Sequence, residues 1–173
     1  MGYIPNSNGY AKDAIPQQYP VKDCWWHSLT NHNVYVNGLC GRCIAHENKW
    51  LPNRNSSATL YDDIKPYKNL DVVFVQLGTN DCKSMYQDSA KTIANNLLQL
   101  VVNIKQRIKA QIVLISPAQI IENTPITQKY YVGANEKTRQ LDKLLKKIAD
   151  DNGFLFISGK HLEISEDGEH LTP

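Results

Sequence analysis

The chain closes on Asp167-Gly-Glu-His170-Leu-Thr-Pro173, which sets an acid and an imidazole three positions apart. Gly168 between them lets the loop turn sharply, so the carboxylate can accept a hydrogen bond from one ring nitrogen and leave the other outward as a base. On spacing alone the pair reads equally well as a solvated acidic loop, because Glu163, Glu166 and Glu169 lie beside it. A second stretch, Leu77-Gly-Thr-Asn80-Asp81, directly follows an apolar run and places the Asn80 amide at its end. Such a donor suits a developing oxyanion and is worth roughly 10²–10³ in rate, although an ordinary turn favours the same residue types. A third, Asn37-Gly-Leu-Cys40-Gly41-Arg-Cys43, has glycines that let backbone approach a ligand, so the Gly41 N–H is a second candidate oxyanion donor.

The same letters carry a rival chemistry. Cys40 and Cys43 form a C-x-x-C pair, as in thiol oxidoreductases, with His46 at the same interval and Cys24-x-x-His27 upstream, so a redox pair and a zinc site both stand as alternatives. The plainer reading makes both cysteines small, partly buried residues. Trp25, Trp26 and Trp50 are placed at a pocket mouth or in the core, Arg42 against an anionic group or in solvent, and His27, His32 and His161 have no evident partner.

These residues need a frame to bring them together. Three runs have the length and β-branched content of buried parallel strands, over 71–77, 111–116 and 153–158, with Val34-Tyr-Val36 as a shorter fourth. Between them the apolar period is helical over 88–109, with Ile93, Leu97, Leu100, Val101, Ile104 and Ile108 on one face. It is helical again over about 136–151, with Leu141, Leu144, Leu145 and Ile148. Asp88-Ser-Ala-Lys supplies a capping residue at the first start and Asn152-Gly153 a left-handed stop at the second. Alternating strand and helix predicts a doubly wound α/β domain with a parallel sheet. The stretches 1–20 and 48–58 read as surface loops and 24–32 as a helix. In such sheets ligands bind beyond the carboxyl ends of the strands, and the loops holding Gly41, Asn80, residues 117–124 and Asp167 with His170 are all predicted to open on that rim.

The bulk properties fit one compact domain of 173 residues with 42% hydrophobic content. Lys plus Arg number 19 against 17 Asp plus Glu, so no strong field draws the chain to nucleic acid or to a membrane surface. No apolar run approaches the roughly 18 residues of a membrane span, and residues 1–20 lack a signal-peptide pattern. Four cysteines agree with a reducing compartment. The expectation is a cytoplasmic protein whose partner is a small molecule or a second copy of itself.

Taken jointly, the strand followed by GTND, the glycine loop NGLCGR after an earlier strand, ISPAQI, GANEKTRQL and the closing D-x-x-H-L-T resemble the SGNH (GDSL-type) hydrolases, most nearly their bacterial arylesterase and acyltransferase branch. The resemblance covers nearly the whole chain and implies a flavodoxin-like three-layer sandwich. It also implies an acyl-enzyme mechanism on small esters or acetylated sugars, with no metal or organic cofactor. By motif, His170 is the general base and acid, Asp167 its orienter, and Gly41 with Asn80 the oxyanion hole. A homo-oligomer fits that branch. The sequence departs from the family in having no Gly-Asp-Ser nucleophile block. Matching Gly2-Tyr-Ile-Pro5 to the residues that follow that block would set the serine about three residues before Met1. A final helix would likewise follow Pro173, so the resemblance implies a domain over 1–173 that is clipped at both ends. A catalytically dead relative that keeps the ligand cleft is the alternative it leaves open.

Overall fold

The computed structural model describes residues 17–48, 51–67 and 69–172. Gly2 to Pro5 and Trp50 lie outside them.

The sheet has three parallel strands, β1 (Val72–Gln76), β2 (Gln111–Ile115) and β3 (Leu155–Ile157), in the order β1-β2-β3. Val72 pairs with Gln111, and Val113 pairs with Leu155. Each strand is a residue or two shorter at one end or both than its apolar run: Gly153 caps the helix before β3 and Phe154 packs in the core, while Leu77, Ser116 and Ser158 begin the loops that follow the strands. Four helices accompany the strands: α1 (Ser56–Ile64), α2 (Ala90–Lys105), α3 (Pro125–Tyr130) and α4 (Ala134–Asn152).

The α2 stripe is the one the period predicts: Ile93, Leu97, Leu100, Val101 and Ile104 are all buried, while Ile108 is buried just beyond the helix end. Its cap is Ser89, whose hydroxyl accepts the Thr92 N–H, and not Asp88. In α4, Leu141, Leu145 and Ala149 are buried and Gly153 ends the helix at φ +67°. Side chains alternate across a strand, and α2 and α4 together cover the face that carries Val73, Val75, Ile112, Leu114 and Phe156. On the opposite face Val72, Phe74, Leu155 and Ile157 are exposed among the described residues, with the Trp25 ring edge-on to Phe74 at 5.6 Å.

Three expectations are corrected. Val34 to Val36 takes no strand pairing among the described residues; all three side chains are exposed and no described strand lies alongside. Residues 24–32 form only a short 3-10 turn, Trp25–Ser28, because no apolar stripe there is buried to hold a longer helix. The loop expected over 48–58 gives way to α1 at Ser56: the Asn55 side chain accepts the N–H groups of Ser57 and Ala58, and Leu60 packs into the core. None of the described helices is long and apolar enough to cross a membrane.

Candidate active site

The turn 167–170 is built around one buried carboxylate. Asp167 is fully buried, and its Oδ1 accepts the Ser165 hydroxyl at 2.9 Å and the N–H groups of Glu169 and His170 at 3.0 and 2.9 Å. Its Oδ2 stands 2.6 Å from His170 Nδ1. A carboxylate only accepts, so Nδ1 carries the proton and Nε2 keeps the basic lone pair. The turn is braced from behind. Thr124 donates its hydroxyl to the Asp167 carbonyl at 2.8 Å, and the Ile121 N–H bonds the Gly168 carbonyl at 3.0 Å. Gly168 sits at φ +83°, where an added Cβ would run into the Ile121 carbonyl oxygen. Thr124 also caps α3 in a reciprocal capping box with Thr127, so the brace is itself anchored.

Electrostatics separates the roles of the two groups. Burial alone would raise the Asp167 carboxyl, but the ring and backbone donors of His170 and the Glu169 N–H outweigh it and hold the group well below its ordinary range. Burial would likewise lower His170; the Asp167 bond and the negative charges of Glu169 and Asp167 overcome it and leave the imidazole above its usual 6.5. Glu169 Oε1 lies 3.5 Å from the same ring nitrogen, and the buried Tyr131 phenol is raised by its own burial and then by Glu169. Asp167, Glu169 and His170 are also close enough together to hold a cation, but Asp167 and Nδ1 are already committed to each other.

Asn80 opens a 3-10 turn, Asn80–Cys82, directly after β1, and its Oδ1 accepts Lys83 Nζ at 2.8 Å. Gly41 lies in the loop 37–43 at φ +71°, and a Cβ there would come within 2.6 Å of Asn48 Nδ2, which bonds the Gly41 carbonyl at 3.2 Å. The two loops are joined by Asp81, whose carboxylate accepts the Ile44 N–H at 2.9 and 3.1 Å. Burial raises Asp81 to about 6 despite those backbone donors.

Gly41, Asn80 and His170 line one cavity of about 1470 Å³, together with Lys83 and Glu169. Residues 72–76 of β1 and residues 34–36 also line it. Ala118, from the loop after β2, lines it too, so all four loops expected at the rim reach it. That loop is fixed by Asp142 of α4: its Oδ1 accepts the hydroxyls of Ser116 and Ser158, each at 2.6 Å, and the Gly159 N–H bonds Ser116 Oγ at 2.7 Å.

The remaining candidates have other surroundings, although Cys40 and Arg42 also line the cavity. Burial raises the Cys40 thiol, and it pushes Cys43, fully buried, up to about 12, the reverse of what a redox thiolate or metal ligand needs. His46 is stacked on Tyr86 at 4.2 Å and bonds Asp88 at 2.7 Å. Arg42 does not point into solvent: it is buried, 3.4 Å from Asp63 and bonded to Asn37. Trp25 and Trp26 line the cavity. The residues that sequence reasoning did not assign are Asp81, Lys83, Glu169 and Asp142. The first two stand inside GTNDCK and the third inside DGEH, so their signal was adjacency to a motif; Asp142 has none, since its partners Ser116 and Ser158 follow two different strands.

The GDSL-like lipase/acylhydrolase family matches residues 8–172. No curated protein sequence matches the chain. Among solved structures, Est24, a carbohydrate acetylesterase from Sinorhizobium meliloti, superposes at a TM-score of 0.85 with 22% identity, over 99% of this chain and 85% of that one. The M. smegmatis aryl esterase superposes at 0.82 with 19% identity, over 98% and 84%. At these identities the likeness is one of fold.

Proposed function

This chain belongs to the GDSL-like lipase/acylhydrolase family, and we propose that it serves a serine-dependent ester hydrolase or acyltransferase acting on small esters or acetylated sugars. One observation carries the reading: the Asp167–His170 pair, 2.6 Å apart, lies at a cavity that Gly41 and Asn80 also line. His170 Nε2 takes the proton of a serine hydroxyl as its oxygen bonds the acyl carbon. The carbonyl electrons move onto oxygen, where the Gly41 N–H and the Asn80 amide donate to them. Collapse breaks the ester bond, and the leaving alcohol takes the proton back from His170. Water or a second alcohol then resolves the acyl-enzyme by the same steps in reverse order.

We assign the nucleophile to a serine on a strand preceding residue 1, seated beside β1. In support, β1 is an edge strand among the described residues, and residues 72–76 line the same cavity as Gly41, Asn80 and His170. Acetylated sugars are favoured because Est24 is described as a carbohydrate acetylesterase. The proposed setting is the cytoplasm, as one domain over 1–173 with no cofactor and no nucleic-acid partner.

The test is a fluorophosphonate probe, with p-nitrophenyl acetate turnover, on the protein expressed from its complete reading frame. One labelled serine and loss of turnover on labelling are expected. A protein that neither labels nor turns over ester is a ligand-binding relative, and the esterase reading then fails.

A further inference from the structure

We propose that Lys83 is the positioning residue that turns the Asn80 carboxamide into the cavity as a hydrogen-bond donor. The inference rests on the reading of Asn80 as an oxyanion donor, which the family motif supplies; the lysine comes from the geometry. A carboxamide has two faces of opposite character, and rotation by half a turn about its last bond exchanges a donor for an acceptor. For an oxyanion that exchange is decisive, since the acceptor face would repel it.

Lys83 Nζ lies 2.8 Å from Asn80 Oδ1. An ammonium has three donors and no acceptor, so only the carbonyl oxygen of the amide can face it, and the NH₂ group must turn the other way. The lysine is brought back to Asn80 by the 3-10 turn, in which the Lys83 N–H bonds the Asn80 carbonyl at 3.2 Å. Its head also lies over the Tyr131 ring, 5.6 Å from the centre, and Tyr131 is buried in the core. The ammonium is therefore held by a buried aromatic face as well as by the amide it orients. Its charge draws density from the carbonyl and sharpens the N–H donors, as polarised hydrogen-bond chains do. Lys83, Asn80 and His170 all line the same cavity.

A second role has to be separated from this one. The Lys83 charge also opposes protonation of His170, which Asp167 and Glu169 face as well. Losing a lysine that acts only on His170 would move the pH profile; losing one that acts through Asn80 lowers kcat at every pH.

The experiment measures kcat and KM, across pH, for Lys83→Met, Asn80→Ala and the double variant of the protein from its complete reading frame. Methionine keeps the stem against Tyr131 and removes the charge. Asn80→Ala should lose roughly 10²–10³ in kcat. Lys83→Met should lose a smaller factor, about tenfold, with KM little changed, Lys83→Arg should recover part of it, and the double variant should be no slower than Asn80→Ala. Multiplying losses in the double variant, or a Lys83→Met effect confined to the acid limb, overturns the lysine's role while Asn80 keeps its own. An Asn80→Ala enzyme as fast as the wild type overturns the oxyanion reading and this proposal with it. Independently of turnover, the Asn80 side-chain NH₂ resonances should shift in Lys83→Met; unchanged resonances also count against the proposal.

Discussion

Asp81 receives the backbone N–H of Ile44 on both carboxylate oxygens, at 2.9 and 3.1 Å, and so ties the loop of Gly41 to the loop of Asn80. The two residues are 37 positions apart in the chain. Asp81 is almost wholly buried, and Ile44 is fully buried. The loop of Gly41 has further bonds, from Arg54 Nε to the Cys40 carbonyl at 2.8 Å and from Asn48 to the Gly41 carbonyl at 3.2 Å, and the Asp81 joint is what links it to the turn of Asn80.

Asp81→Ala should therefore cost both stability and rate. Leaving the buried Ile44 N–H without an acceptor costs about 1–3 kcal/mol, and urea denaturation measures it. Asp81→Asn keeps one acceptor oxygen and should cost less. The wild-type carboxyl is raised by burial to about 6, so its contribution to stability is full below the unfolded value near 3.8 and is lost as pH rises through about 6. The stability difference between wild type and Asp81→Asn should shrink across that window; a difference that grows with pH would contradict the placement.

His170 works as a base only when neutral, and its protonation is favoured by Asp167 and Glu169 against the opposing Lys83. The acid limb of kcat/KM should therefore fall above pH 6.5. Glu169→Gln removes one of the two negative charges and should carry that limb to lower pH, with kcat at high pH retained. Asp167→Asn should act differently, lowering the plateau itself by about 10⁴ through the wrong tautomer. Equal pH profiles for wild type and Glu169→Gln would remove Glu169 from the site's electrostatics.

Gly168→Ala tests the brace behind the dyad. Alanine is strained at φ +83°, and its Cβ would meet the Ile121 carbonyl oxygen that lies behind the turn. The loop must shift, and the 2.6 Å contact between Asp167 and His170 with it. Activity should drop by at least tenfold, with a loss of about 1–3 kcal/mol in stability. Full activity in this variant would show that the brace is dispensable.

Cys40→Ser and Cys43→Ser separate ester chemistry from thiol chemistry. Burial raises both thiols, so neither should react quickly with iodoacetamide at neutral pH. Ester turnover should survive Cys40→Ser. Cys43→Ser should cost stability more than rate, because Cys43 is fully buried with its Sγ against the Gly41 carbonyl and the Tyr86 hydroxyl. Loss of turnover on alkylating Cys40 alone would revive the thiol alternative.

The parts of this protein that were legible in its sequence are those set by local physics. Alternation of apolar runs with helical stripes is enough for β1, β2, β3, α2 and α4, because burial of a face has a period and a period is visible in one dimension. Asp167 and His170 were legible together since the bond between them spans three residues. The α1 helix was not, because only Leu60 of its apolar side chains is deeply buried and its Asn- and Ser-rich start reads as loop. Residues 34–36 went the other way: a strand needs a partner to pair with, and three apolar letters cannot say whether one stands beside them.

Tertiary structure alone decided the wiring between loops. Asp81 reaches Ile44, Asp142 gathers Ser116 and Ser158, and Thr124 supports the carbonyl of Asp167, each across tens of residues. Long-range hydrogen bonds between polar side chains and distant backbone leave no periodic trace, so a sequence can supply the donor and acceptor without revealing that they meet. The same holds for Arg42, whose burial against Asp63 depends on a helix packed 21 residues further along the chain. Which residues can do chemistry is written in their types and near spacing; which of them face one another in a cavity is fixed only when the loops are closed.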